Sequence, residues 1–192
     1  DRSGRPVRAH RIGYVGELGW ELHMNNEHGL VVYGALKAAG EEFAIADVGY
    51  KAIDTLRMEK GYLYWSGDIT PDYNPFEAGL GFRVNLKKGD FIGREALVRV
   101  KEKGIARKLS MFTLEKPAPV YGGETILRNG EVLDVTTSAN FGHTIGKPIV
   151  FGYLPLEECA HTDFEIEAFG ETYPAIRHDG PLYDATNERL KS

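Results

Sequence analysis

The sequence predicts an α+β segment followed by a small antiparallel β-barrel, and three observations carry that prediction. Apolar residues over positions 8–103 mix helical and strand periods. Over 106–178 they fall almost entirely into short alternating runs separated by turn residues. Between the two regimes lies a basic stretch ending in glycine, Lys101-Glu102-Lys103-Gly104, which reads as a joint. The predicted division is therefore residues 1–104 as part of an α+β domain and residues 105–192 as a C-terminal β-barrel domain.

The first regime opens as a hairpin. His10, Ile12 and Tyr14 alternate with polar neighbours, and Trp20–Met24 alternate again. Gly16-Glu17-Leu18-Gly19 between them supplies glycines where a tight turn needs positive φ. A helix is predicted over His28–Ala39, from Val32, Leu36 and Ala39, with Gly40 as a left-handed cap. A second is predicted over Val48–Lys60, with Asp47 as N-cap, Ile53 and Leu56 inward and Gly61 as the stop. Pro71 and Pro75 bracket a loop, Phe76–Leu80 reads as one helical turn, and Phe82–Leu86 alternates as a strand. Gly93–Lys103 reads as a third helix with Ala96, Leu97 and Val100 on one face.

Six strands are predicted in the second regime: Lys108–Leu114, Glu124–Leu127, Glu131–Thr137, Pro148–Tyr153, Phe164–Ala168 and Thr172–Arg177. Asn129-Gly130 between two apolar runs is the strongest hairpin signal in the chain, and Phe169-Gly170-Glu171 marks another turn. Six short strands with tight turns predict a closed or nearly closed barrel.

Composition removes several classes of function. The chain has 192 residues, 42% hydrophobic and 27% charged, which is enough apolar material for a core. A net charge of −5, with no basic run longer than Lys87-Lys88 in an otherwise mixed chain, argues against a duplex nucleic-acid binder. The longest nearly apolar stretch, Gly29–Leu36, falls far short of the roughly 20 residues a membrane span needs. Cys159 is the one cysteine, which fits a reducing compartment such as the cytoplasm, or the mitochondrial matrix in a eukaryote. A start at Asp1 without Met is what a fragment or a processed product would show.

No metal motif is present, since none of the six histidines pairs at i, i+4 around a carboxylate. Ser66-Gly67-Asp68 puts a serine beside an acid without a histidine nearby, so a capped loop competes with a nucleophile there. Cys159 follows two acids that would raise its thiol pKa, which opposes reactivity.

Three residues stand out, each with two readings. Glu17, at the tip of the glycine turn among Tyr14, Leu18 and Trp20, is either a solvated turn residue or a carboxylate that accepts paired N–H donors, as on a pterin or guanidine edge. Arg57 lies at the edge of its helix stripe, about 100° from Leu56, and either pairs Asp54 or reaches into a cleft. Trp65, with Tyr62 and Tyr64, is either core or a platform for a flat heterocycle.

At these residues the chain resembles a known family. Tyr14-Val15-Gly16-Glu17-Leu18-Gly19-Trp20-Glu21-Leu22 is similar to the folate-site hairpin of the aminomethyltransferases, the family that includes the glycine-cleavage T-protein. Ala52–Gly61, Asn74–Gly81 and Asp90–Leu97 resemble three further signatures in the family's order, so the likeness covers essentially the whole chain. The Gly-Glu-Leu-Gly-Trp-Glu-Leu wording and the ending Pro181-Leu182-Tyr183 … Asn187-Glu188-Arg189-Leu190 look closest to the folate-binding part of dimethylglycine and sarcosine dehydrogenases.

The resemblance implies a folate-binding α+β domain, present in part, before the barrel. It implies that Glu17 hydrogen-bonds the pterin of tetrahydrofolate, that Arg57 lines the same pocket, and that Trp65 stands beside it. It also implies a reaction that passes a one-carbon unit from an N-methyl amine (dimethylglycine, sarcosine or a glycine-derived amine) to tetrahydrofolate. The family's catalytic aspartate belongs to an N-terminal half that Asp1–Ser192 does not contain, so no residue here is assigned as acid or base. FAD, if a dehydrogenase is fused, would belong to such an upstream segment. The alternative implied function is a non-catalytic folate-binding or regulatory module of the same fold.

Overall fold

The computed structural model describes residues 6–191. Strands β1 (Arg8–His10) and β2 (Glu21–His23) pair antiparallel, with Arg8 opposite His23 and His10 opposite Glu21. The predicted hairpin is thus only three residues long on each side, and residues 11–20 form an open loop rather than a tight turn. This loop is committed elsewhere. The Tyr14 hydroxyl donates to the carbonyl of Leu63, and Gly16 lies so close to the Lys60 methylenes that a Cβ there would sit 2.8 Å from Lys60 Cδ.

Helix α1 spans Asn26–Gly40 and α2 spans Tyr50–Glu59. Gly40 is not a left-handed cap. Its φ is −89°, the chain runs on through a 3-10 turn at Glu41–Phe43, and Ala44 takes the left-handed conformation. Glycine serves at position 40 for space, because a Cβ would meet the Ile45 side chain at 2.7 Å. Asp47 does not cap α2 either. Its carboxylate accepts the Tyr33 hydroxyl at 2.9 Å, and Gly49 occupies the cap position. On α2 the predicted inward residues Ile53 and Leu56 are only half-buried, while Thr55 and the run Arg57–Lys60 are buried.

The predicted strand Phe82–Leu86 is absent. Gly81–Arg83 form a 3-10 turn closed by Val84 N–H to Gly81 C=O at 3.0 Å, and Phe82 points outward at 76% exposure. Alternation alone misled here, because the Arg83 and Val84 N–H groups donate to the Leu80 and Gly81 carbonyls within the turn rather than to a neighbouring strand. Helix α3 covers Arg94–Lys103.

The second regime folds as predicted. Strands β3 (Arg107–Leu114), β4 (Thr125–Arg128), β5 (Glu131–Gly142), β6 (Lys147–Pro155), β7 (Asp163–Ala168) and β8 (Glu171–His178) close into an antiparallel barrel in the order β3-β6-β5-β4-β7-β8. A short helix, α4 (Glu188–Lys191), ends the described chain.

Side-chain alternation explains where the core sits. Phe112 and Leu114 of β3, Val150 and Leu154 of β6, and Phe164 and Ile166 of β7 point into the barrel, where Phe112 and Phe164 meet edge to face at 5.3 Å. The alternate residues Met111, Ile149 and Phe151 point outward and pack on Met58 of α2. Strand β6 is therefore buried on both faces, which is why Ile149-Val150-Phe151 reads as a continuous apolar run rather than an alternation.

Asn129 and Gly130 have φ of 52° and 79°, the two positive values a type I′ turn requires, and they join β4 to β5. Gly130→Val should lower stability by about 1–2 kcal/mol, because a β-branched residue resists positive φ. An unchanged melting temperature would argue against this account. The exposed stretch Lys101–Gly104 leaves α3 and leads to β3. Limited trypsinolysis should cut first between Lys101 and Arg107, where basic residues are dense. First cuts within the β4–β5 hairpin instead would misplace the joint.

Candidate functional site

Arg57 projects from α2 into a buried polar network and is 2% exposed. Its Nε donates to Asp54 at 2.8 Å, and one terminal nitrogen donates to Asp68 at 2.7 Å and to the Tyr62 carbonyl at 3.1 Å. The other donates to the Ser138 hydroxyl of β5 at 3.0 Å. Arg57 thus pairs Asp54 as one reading expects, and instead of entering the cleft it reaches a buried network beyond its own helix.

Asp68 is wholly buried and accepts from the Tyr64 N–H at 2.8 Å and the Thr137 hydroxyl at 2.5 Å as well as from Arg57. Asp68 thereby closes the Ser66-Gly67-Asp68 loop. The Tyr153 hydroxyl donates to the Asp68 carbonyl at 2.9 Å, and burial raises the Tyr153 phenol far above its usual range. Thr137 and Ser138 are consecutive, yet both reach this network. They can because the β5–β6 register shifts between Thr136 and Ser138, a bulge that turns neighbouring side chains to one face.

Glu17 sits half-buried on the open loop, and its Oε1 accepts the hydroxyl of Tyr183, a partner 166 residues away. That bond is the leading cause holding the Tyr183 phenol above its usual pKa. Oε2 remains for other donors, and a carboxylate fixed through one oxygen can accept a pair of N–H groups from a planar ring edge. Trp65 is 68% exposed, standing out from the loop that Asp68 closes. Its neighbours do not form one aromatic core. Tyr62 stacks on Tyr14 with ring centres 6.0 Å apart, and Tyr64 lies 5.8 Å from the Arg57 guanidinium.

A cleft of about 790 Å³ runs between the end of α2, the Ala78–Arg83 turn, the start of β3 and the segment after β8. Tyr14 and Lys60 lie in its wall, beside the loop that bears Glu17, whereas Glu17, Arg57 and Trp65 do not line it. Arg83 and Lys108 give part of the wall a basic character, and His178 also lines it. Burial lowers the pKa of His178, whose ring is 2.8 Å from the Thr113 hydroxyl.

Two partners of Arg57 and Glu17 were not assigned to them from the sequence. Asp68 stood in the Ser-Gly-Asp loop already noted as a capped-loop candidate, but nothing local linked it to Arg57. Tyr183 carried no signal of its own, because nothing local links it to Glu17.

Residues 1–88 match the family model for the GCVT N-terminal domain, and residues 107–184 match that for the glycine cleavage T-protein C-terminal barrel domain. The chain is 41% identical over 198 residues to mitochondrial sarcosine dehydrogenase of Homo sapiens, spanning 98% of this chain and 22% of that protein. It is 39% identical over 194 residues to mitochondrial dimethylglycine dehydrogenase of Homo sapiens, again 98% of this chain and 22% of that one. With an aminomethyltransferase of Symbiobacterium thermophilum the identity is 37% over 181 residues, or 93% of this chain and 48% of the relative. The structure of the glycine cleavage system aminomethyltransferase T from Bartonella henselae superposes with a TM-score of 0.84 at 27% identity, covering 92% of this chain and 50% of the other. The chain thus spans between about a fifth and a half of the length of these relatives.

Proposed function

This chain belongs to the aminomethyltransferase (glycine cleavage T-protein) family, and on that premise we propose that it is the C-terminal part of an enzyme that moves a one-carbon unit from an N-methyl amine to tetrahydrofolate. Dimethylglycine, sarcosine or a glycine-derived amine would be the donor, in line with the dehydrogenases and aminomethyltransferases it resembles. When bound, tetrahydrofolate supplies the nucleophilic nitrogen that accepts the one-carbon unit.

The observation that carries this reading is the oriented Glu17 carboxylate, held by Tyr183 on the loop whose Tyr14 lies in the cleft wall. The donor set fits the ligand: a 2-amino-4-oxo pyrimidine edge presents adjacent N–H groups, and a half-buried carboxylate is their natural acceptor. The exposed Trp65 face offers a stacking surface next to the polar network. Arg57, buried and held by four partners, acts by fixing the loop that carries Trp65.

This chain's residues would bind and orient the ring and help exclude water around the reacting amine. The acid–base group would come from an N-terminal half that completes the pocket, and a flavin, where the amine is oxidised first, from a separate segment. Calorimetric titration of the full-length protein with a stable reduced folate tests the proposal, with stoichiometric binding expected. Absence of binding would overturn it. Binding without one-carbon transfer would favour a regulatory folate module.

A further inference from the structure

After β8 the chain turns back as a strap over residues 179–187 and reaches the N-terminal loop. Two neighbouring N–H groups, of Leu182 and Tyr183, both donate to the Glu59 carbonyl at 3.0 Å, near the last turn of α2. The next residue, Asp184, forms an ion pair with Lys60 at 3.2 Å, with side chains only 8% and 1% exposed. Burial pushes the Asp184 carboxyl up, but bonds from the Glu188 N–H and from Lys60 outweigh it and leave the group below its usual value. The same Lys60 lies under Gly16 through its methylenes. One lysine therefore supports both the loop that carries Glu17 and the strap that carries Tyr183.

We propose that Tyr183 is a positioning residue of the ligand site: its hydroxyl, delivered by the strap, holds the Glu17 carboxylate in the orientation that receives the ring edge. The proposal rests on the folate reading of Glu17. A carboxylate on an open loop has several rotamers, and selecting one before binding removes an entropic cost from the complex. The bond occupies one lone pair of Oε1, which leaves the carboxylate able to accept two further N–H groups. The strap supplies this hydroxyl from the far end of the chain, so the barrel's C-terminal extension becomes part of the site formed by the N-terminal loop.

A double-mutant cycle on reduced-folate affinity in the full-length protein tests this. Tyr183→Phe removes only the hydroxyl and should weaken binding roughly five- to tenfold, with melting within a few degrees of wild type. Glu17→Gln should weaken it more. The double variant should bind no worse than Glu17→Gln alone, because an amide released from Tyr183 can turn its oxygen toward the ligand. Replacing Tyr183 by 3-fluorotyrosine, which keeps the hydroxyl and donates more strongly, should bind at least as well as wild type and serves even where Tyr183→Phe does not fold.

If Glu17→Gln weakens binding while Tyr183→Phe leaves it unchanged or tightens it, the positioning role is overturned and the folate reading of Glu17 stands. Strictly additive losses would also overturn it, since Tyr183 would then act independently of Glu17. If neither substitution changes binding, the folate reading of Glu17 fails, and the positioning role with it.

Discussion

Asp68→Ala is expected to lower the unfolding free energy by about 3–5 kcal/mol, the largest stability effect of any single substitution considered for this chain. The carboxylate is 0% exposed and receives Arg57, the Tyr64 N–H and the Thr137 hydroxyl. Removing it leaves a guanidinium in a site where its side chain is 3% exposed, with one fewer anion to balance it. The Tyr64 N–H loses its carboxylate acceptor at the same time, and the Thr137 hydroxyl keeps only the Phe151 carbonyl at 3.4 Å, which adds to the cost. Asp54 pairs the same arginine but is 35% exposed, so Asp54→Ala should cost only about 1 kcal/mol. Urea unfolding of both variants measures the contrast. Equal losses, or a loss below about 1 kcal/mol at Asp68, would mean that the network is not what joins α2 to β5.

Glu17→Gln should weaken binding of a stable reduced folate roughly 30- to 150-fold, about 2–3 kcal/mol. The substitution preserves shape but replaces one acceptor oxygen by an N–H₂ donor. Tyr183 donates to Oε1, so the amide oxygen is drawn to Tyr183 and the new donor faces the ligand's own N–H groups. Two donors meeting in a partly dry site lose a hydrogen bond and leave both groups unsatisfied. Calorimetry on full-length wild type and variant decides the matter. A difference below about threefold would make Glu17 a turn residue and remove it from the ligand site.

The barrel was legible in the sequence because its signals are local. Each of the six strands carries its own alternation, and the β4–β5 hairpin is encoded by two residues whose positive φ values side-chain sterics make predictable. The N-terminal segment was less legible for a related reason. Its hairpin loop, the Gly40 region and the Phe82 turn take their shape from contacts with Lys60, Leu63 and Ile45 and from the turn bonds around Pro75–Leu80. Alternation and cap preferences describe what a short segment does alone, and they lose when neighbours supply different hydrogen bonds.

The sequence by itself determined the six barrel strands and their order along the chain, and it singled out Glu17, Arg57 and Trp65 as candidates. Only the tertiary structure decided what those residues touch. Helix phase placed Arg57 at the edge of a stripe, but its burial follows from Asp68 in the next loop and Ser138 on a bulged strand 81 residues away. The orientation of Glu17 depends on a tyrosine 166 residues along the chain, brought to it by a strap anchored on Glu59 and Lys60. Hydrogen bonds and ion pairs act over a few ångströms whatever the separation in sequence, so no local pattern records which distant partner the closed chain will bring within reach.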